Sequence, residues 1–283
     1  MTPLRQPLAS SALAVLSLLT MQTLASARPS SPIAPAIVTQ QDAIAQNIDF
    51  SAHFQDLDVE GSILIDDLKG DRTYQHNPER NQTAFLPAST FKIPNSLIAL
   101  ESGVITHELA VLTWDGVERS FPVWNRDLNL RQAYKLSAVW FYQVLARRVG
   151  HERMQAWMAQ LDYGNGAIGS PAAIDTFWLQ GELRITPAEQ IEFLQRLHAE
   201  ALPFSAQTFA TVKDIMIVEQ TPDYTLRAKT GWALDAQVGW YVGYLERGEE
   251  VYFFATNLDI SDFDALPKRQ AITRRCLAQL GLL

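Results

Sequence analysis

The chain has 283 residues, with 31 acidic against 23 basic side chains and a formal net charge of -8. An acidic balance of this size argues against a surface built to hold nucleic acid. A single cysteine, Cys276, excludes an intramolecular disulfide and reads as a packing residue in a helical pattern.

Residues 1–27 read as an export signal. Arg5 is the only charge before a mostly apolar run from Leu8 to Leu24, and Ala25-Ser26-Ala27 puts small residues where a signal peptidase cuts. A membrane anchor is the alternative. Ser10, Ser11, Ser17, Thr20, Gln22 and Thr23 interrupt the run and favour cleavage. Cleavage removes one positive charge and no acid, so the mature net charge is -9. Residues 28–48, with Pro29, Pro32 and Pro35, read as a Pro/Ala/Ser-rich tether. Residues 49–283 are expected to form one domain, which is long enough to bury a large core.

Gly61 to Asp66 predicts a strand, Lys69-Gly70-Asp71 a turn, and Arg72 to His76 a returning strand. The middle of the chain is helical in pattern. One helix runs from Ile93 to Glu101 and is closed by Gly103; another runs from Asn129 to Val149 and is closed by Gly150. Glu152 to Leu161 and Pro187 to Leu197 follow, the latter with Thr186 as its cap. Arg227 to Trp232, Val238 to Glu246 and Glu250 to Leu258 predict strands, with a hairpin turn at Arg247-Gly248-Glu249. Lys268 to Leu280 is a closing helix. The order predicts an α+β domain, an antiparallel sheet flanked by helices. A helical lobe of roughly residues 87–200 is inserted between the sheet-forming segments.

Ser89-Thr90-Phe91-Lys92 carries the first chemical signal. A serine and a lysine three residues apart meet on one helical face, and an amine there can activate a hydroxyl. Four further signals follow in order: Ser137-Ala138-Val139, Tyr163-Gly164-Asn165, Phe177-Trp178-Leu179 and Lys229-Thr230-Gly231-Trp232. Each alone has a bland reading as helix serine, turn, core aromatic or strand lysine. Their conjunction with the only Ser-x-x-Lys and the only Lys-Thr-Gly of the chain does not. A second Ser-x-Val, Ser102-Gly103-Val104, lies about 20 Å along the helix from Ser89 and cannot sit over it.

The set resembles the class D (OXA-type) serine β-lactamases, from about residue 50 to the C-terminus. Related class A enzymes and penicillin-binding proteins carry Ser-Asp-Asn in the middle position; Ser-Ala-Val here favours class D. The resemblance implies the serine β-lactamase/penicillin-binding-protein fold, hydrolysis of penicillin-type lactams, β-lactam resistance and a periplasmic location. Ser89 would be the nucleophile. Lys92 would carry carbon dioxide as a carbamate (N6-carboxylysine), the general base for both half-reactions, in a dry pocket of Phe91, Val139, Trp178 and Leu179. The indole N–H of Trp178 can only donate, which suits a carbamate oxygen. The backbone amides of Ser89 and Trp232 would form the oxyanion hole. Ser137 and Lys229 would relay a proton to the leaving nitrogen. Lys229, Thr230 and Arg269 would hold the substrate carboxylate, with Lys268 an adjacent competitor for the arginine's place, and Gly231 would leave room for substrate.

No cofactor is expected beyond carbon dioxide or bicarbonate. No metal is expected either: His53, His76, His107, His151 and His198 have no ligand-like spacing. The expected partners are small β-lactams, with no nucleic acid and no membrane after cleavage, in a monomer or homodimer. Trp140-Phe141-Tyr142 departs from the smaller residue and proline found in many relatives and can reshape the pocket. A stably acylated penicillin sensor and a D,D-peptidase share the fold and stay as alternatives. The first is disfavoured by the lack of a retained membrane segment, the second by Ser-x-Val in place of Ser-x-Asn.

Overall fold

The computed structural model describes residues 48–69 and 72–283. The export signal, nearly all of the tether and the Gly70-Asp71 part of the first turn lie outside the described residues. Helix α1 (Ser51–Asp56) leads into strands β1 (Gly61–Asp67) and β2 (Thr73–His76) and the short helix α2 (Pro78–Asn81). A 3₁₀ turn (Ala88–Phe91) runs directly into α3 (Lys92–Glu101). The ribbon β3 (Val111–Leu112) and β4 (Leu128–Asn129) precedes α4 (Leu130–Lys135), α5 (Val139–Val149) and α6 (His151–Leu161). Then come α7 (Pro187–His198), α8 (Ala206–Ile215), β5 (Ile217–Gln220), β6 (Thr225–Ala233), β7 (Val238–Arg247), β8 (Glu250–Asp259) and α9 (Lys268–Gln279).

The main sheet has the order β2-β1-β8-β7-β6-β5 and is antiparallel throughout. The first and last strands therefore pair: in β1 and β8, Ile63 lies opposite Thr256 and Ile65 opposite Phe254. Both faces of the sheet are covered. Tyr252, Phe254 and Leu258 pack with Phe50, Phe54, Ile272 and Cys276 on the α1/α9 side. Val251, Phe253 and Ala255 pack with Phe91, Leu97 and Leu194 on the other. This double burial explains why β7 and β8 read as apolar runs instead of alternating. Phe253 and Phe254 are fully buried on opposite faces, worth roughly 1.5–3 kcal/mol each. Cys276 is buried in α9, and burial pushes its thiol up to about 12.

Thr186 caps α7 in a capping box with Glu189, with Pro187 in the first turn. One predicted element divides. The sequence predicts a single helix over Asn129–Val149, and the chain makes two. Ser137 has φ +56, so α4 stops at Lys135 and α5 starts at Val139. Ser137 N–H bonds Tyr134 O at 3.1 Å and Ala138 N–H bonds Ala133 O at 2.9 Å. These are the two bonds of a Schellman cap, with serine in the left-handed position that glycine usually takes. Ser137 is thus on a sharp corner and not within a helix.

Candidate active site

The 3₁₀ turn explains how Ser89 meets Lys92. Side chains at i and i+3 eclipse in this geometry. Lys92 Nζ lies 2.7 Å from Ser89 Oγ, to which it donates. The turn is pinned from outside: Ala88, at φ +48, donates its N–H to Trp178 O at 2.9 Å. Ser89 retains 9% exposure, whereas Lys92 has none. Desolvation, and then the charge of Lys229, hold the Lys92 amine well below its ordinary range. Its surroundings are aromatic. Phe91 stacks on Trp178 with ring centroids 5.4 Å apart, and Lys92 Nζ lies 5.2 Å from the Tyr142 ring centroid. Trp178 Nε1 is buried and has no hydrogen-bond partner among the described residues. Val139, which heads α5, and Leu179 are half-buried.

Trp140, Phe141 and Tyr142 are all buried. Tyr142 places its ring beside Lys92; its hydroxyl pairs with Ser96 Oγ at 3.0 Å, and Ser96 Oγ donates to Lys92 O at 2.7 Å. Trp140 donates its indole N–H to Trp124 O at 2.8 Å.

Strand β6 supplies the second wall. Lys229 Nζ donates to Thr230 O at 3.0 Å and lies 5.6 Å from the Tyr134 ring centroid. Tyr134 is the residue whose carbonyl caps the Ser137 corner, so this contact brings that corner to β6. Lys229 is 4% exposed, and desolvation, then the charge of Arg269, lower its pKa to about 7. β5 covers β6 only as far as Arg227, and Ala228 N–H bonds Met216 O at 2.9 Å. With a two-residue period, the Trp232 N–H faces the same side, beyond the end of β5 and unpaired with a strand there.

Arg269 is buried against this strand and donates to Gly231 O at 2.6 Å and Leu266 O at 2.7 Å. It has no acidic partner among the described residues, and burial lowers its pKa to about 10. Lys268 points elsewhere, to Asp58 O at 3.0 Å. Gly231 packs against the Ser89 turn. A Cβ there would meet Pro87 O at 3.0 Å, Thr90 Cγ2 at 3.1 Å and Trp240 Cβ at 3.2 Å. The missing side chain makes room for the Ser89 turn. Among the described residues, no group of three or more His, Cys, Asp or Glu is placed to hold a metal.

Tyr142, flagged in the sequence with Trp140 and Phe141, lies beside Lys92. Tyr134 and Gln190 belong to the site's surroundings and escaped the sequence reading, although Tyr134 is close enough to Ser137 to have been suspected. Gln190 has no local signal.

The family comparison decides what this arrangement is. A penicillin binding protein transpeptidase domain model matches residues 61–278. β-Lactamase OXA-5 of Pseudomonas aeruginosa is 40% identical over 247 residues, 86% of this chain and 92% of its own. The chain belongs to the class D, OXA-type serine β-lactamases. β-Lactamase OXA-48 of Klebsiella pneumoniae is 42% identical over 236 residues, 83% of this chain and 88% of its own. The solved class D β-lactamase YbXI from Nostoc superposes with TM-score 0.82 at 57% identity, covering 84% of this chain and all 100% of that one. The class D enzyme OXA-85 of Fusobacterium nucleatum subsp. polymorphum gives 0.80 at 40% identity, covering 84% and 99%. No helix among the described residues is long and apolar enough to cross a membrane.

Proposed function

We propose that this class D β-lactamase hydrolyses the lactam ring of penicillin-type antibiotics through an acyl-enzyme on Ser89. The Ser89 Oγ–carbonyl bond forms as the lactam C–N bond breaks. The serine proton leaves through Lys92, and Ser137 and Lys229 return one to the leaving nitrogen. Water then takes the acyl group from Ser89. The Ser89 and Trp232 amides hold the developing oxyanion, and Thr230 and Arg269 hold the substrate carboxylate.

The observation that carries this reading is the fully buried Lys92 amine 2.7 Å from Ser89 Oγ. A charged ammonium there could not accept a proton; a desolvated neutral amine can. The neutral amine can also take up carbon dioxide, forming an N–C bond and releasing one proton with no change in oxidation state. The fit is supported by Trp178 Nε1, a buried donor without an acceptor among the described residues. The resulting carbamate supplies a carboxylate-like base for both half-reactions. No metal or organic cofactor enters this scheme. Export by a cleaved signal to the periplasm, and resistance in the host, complete the proposal.

Turnover of ampicillin with and without added bicarbonate tests it, together with Lys92→Ala. We expect activation by bicarbonate, and a loss of about 10²–10⁴ in the variant, as for a missing general base. Intact mass showing a persistent stoichiometric acyl-enzyme without turnover would replace the enzyme reading with the sensor.

A further inference from the structure

We infer that Gln190 is a positioning residue for the oxyanion-binding amide of Ser89, acting through the hydroxyl of Thr90. This rests on the acyl-transfer reading of Ser89. The starting observation is Ala88, held at φ +48 immediately before the nucleophile. Alanine seldom adopts that region, and a backbone so placed persists only where its surroundings over-determine it.

The surroundings form a chain of hydrogen bonds. Pro87 O accepts both Thr90 N–H at 3.1 Å and Thr90 Oγ1 at 2.8 Å. With its proton used there, the Thr90 hydroxyl accepts from Gln190 Nε2 at 2.9 Å. Gln190 Oε1 accepts in turn from the Tyr163 hydroxyl at 3.3 Å. Thr90 and Tyr163 have no exposure and Gln190 has 1%. Water therefore cannot replace a lost partner, and the chain is either complete or strained. Its far end is firm, because Gln190 sits on α7 just after the Thr186–Glu189 capping box. The primary amide donates to Thr90 and accepts from Tyr163 through one planar group; a carboxylate could not donate. The Tyr-Gly-Asn motif gains a role by this route, since Tyr163 orients the Gln190 amide. Gly164 lets that turn close, for a Cβ there would lie 2.1 Å from Arg184 O.

Thr90 also allows hydrogen bonding to be separated from packing, because its Cγ2 is one of the atoms a Gly231 Cβ would meet. Thr90→Val keeps that methyl and loses the hydroxyl; Thr90→Ser does the reverse. The full chain is measured, after correction for folded fraction, by single-turnover acylation with nitrocefin and by affinity for a boronic acid that forms a tetrahedral adduct on Ser89. Wild-type turnover of nitrocefin tests the acyl-transfer reading separately. We expect Thr90→Val and Gln190→Leu each to slow acylation and weaken boronate binding about tenfold, less than removal of a whole oxyanion donor. Thr90→Ser should stay within about twofold, and the double variant should lose little more than either single one, as for groups acting as a unit. Lower thermal stability with unchanged acylation and boronate affinity would overturn the proposal. So would loss in Thr90→Ser with retention in Thr90→Val, or fully additive losses.

Discussion

Lys92 Nζ donates to Ser89 Oγ at 2.7 Å from a side chain with no solvent exposure, while the indole of Trp178, stacked on Phe91, has a buried N–H with no acceptor among the described residues. An unmade buried donor costs about 1–3 kcal/mol, and an anionic oxygen on Lys92 would relieve it. Trp178→Phe keeps a ring to stack on Phe91 and removes only the donor. The bicarbonate concentration for half-activation should rise about tenfold, the equivalent of one hydrogen bond to a charged group. Deacylation should fall further than acylation. Pre-steady-state burst kinetics across a bicarbonate titration checks both, and equal losses at saturating bicarbonate count against the role.

Lys229 gives the fold a pH signature. Its folded pKa is depressed to about 7, from burial and then from Arg269, against an ordinary 10.5. Between those values the unfolded chain holds a proton that the folded chain does not. Stability therefore rises with pH through this window, by up to about 1.4 kcal/mol per unit for this one group. Buried Lys92 is shifted in the same direction. The buried Tyr134 and Tyr142 are raised, which reverses the trend once the unfolded tyrosines ionise near 10. Urea unfolding from about pH 7 to 9.5 should show the rise in the wild type and a flatter curve in Lys229→Met. Unchanged slopes would mean that Lys229 is protonated in the fold.

Most strands and helices were legible because their burial is regular. β7 and β8 lie under two layers, and α7 announces itself with Thr186, Pro187 and Glu189. The Ser89–Lys92 spacing was visible too, although a 3₁₀ turn and not an α-helix makes it work. What stayed hidden depends on tertiary contact. Nothing local says that Ser137 takes a glycine's place in a cap, that Gly231 faces Pro87, or that Gln190 reaches Thr90 across one hundred positions.

Gly231 separates access from packing. A methyl on Gly231 meets Pro87 O at 3.0 Å and Trp240 Cβ at 3.2 Å, both set by backbone. Relief requires the 3₁₀ turn to back away from β6, moving the Ser89 amide from that of Trp232. Gly231→Ala should lower stability by about 1–3 kcal/mol, the usual range for overpacking. It should lower kcat much more than it raises KM, because the oxyanion develops after binding. Steady-state kinetics beside thermal unfolding checks the pair; a change in KM alone would favour the view that Gly231 clears a path for substrate.

Ser137 holds a position that favours glycine, yet the proposed reaction needs a side chain there. Its φ of +56 belongs to the Schellman cap that ends α4 and aims α5. An L-residue in that conformation costs about 1–2 kcal/mol relative to the right-handed form, and glycine escapes most of it. Ser137→Gly should therefore be more stable than Ser137→Ala, by about 0.5–1 kcal/mol. Both lack the hydroxyl proposed to pass a proton to the leaving nitrogen, so both should lose acylation rate to a similar degree, about 10²-fold or more. The comparison sets conformation against chemistry at one residue. If Ser137→Gly keeps wild-type acylation while Ser137→Ala does not, the corner alone matters and the hydroxyl carries no proton.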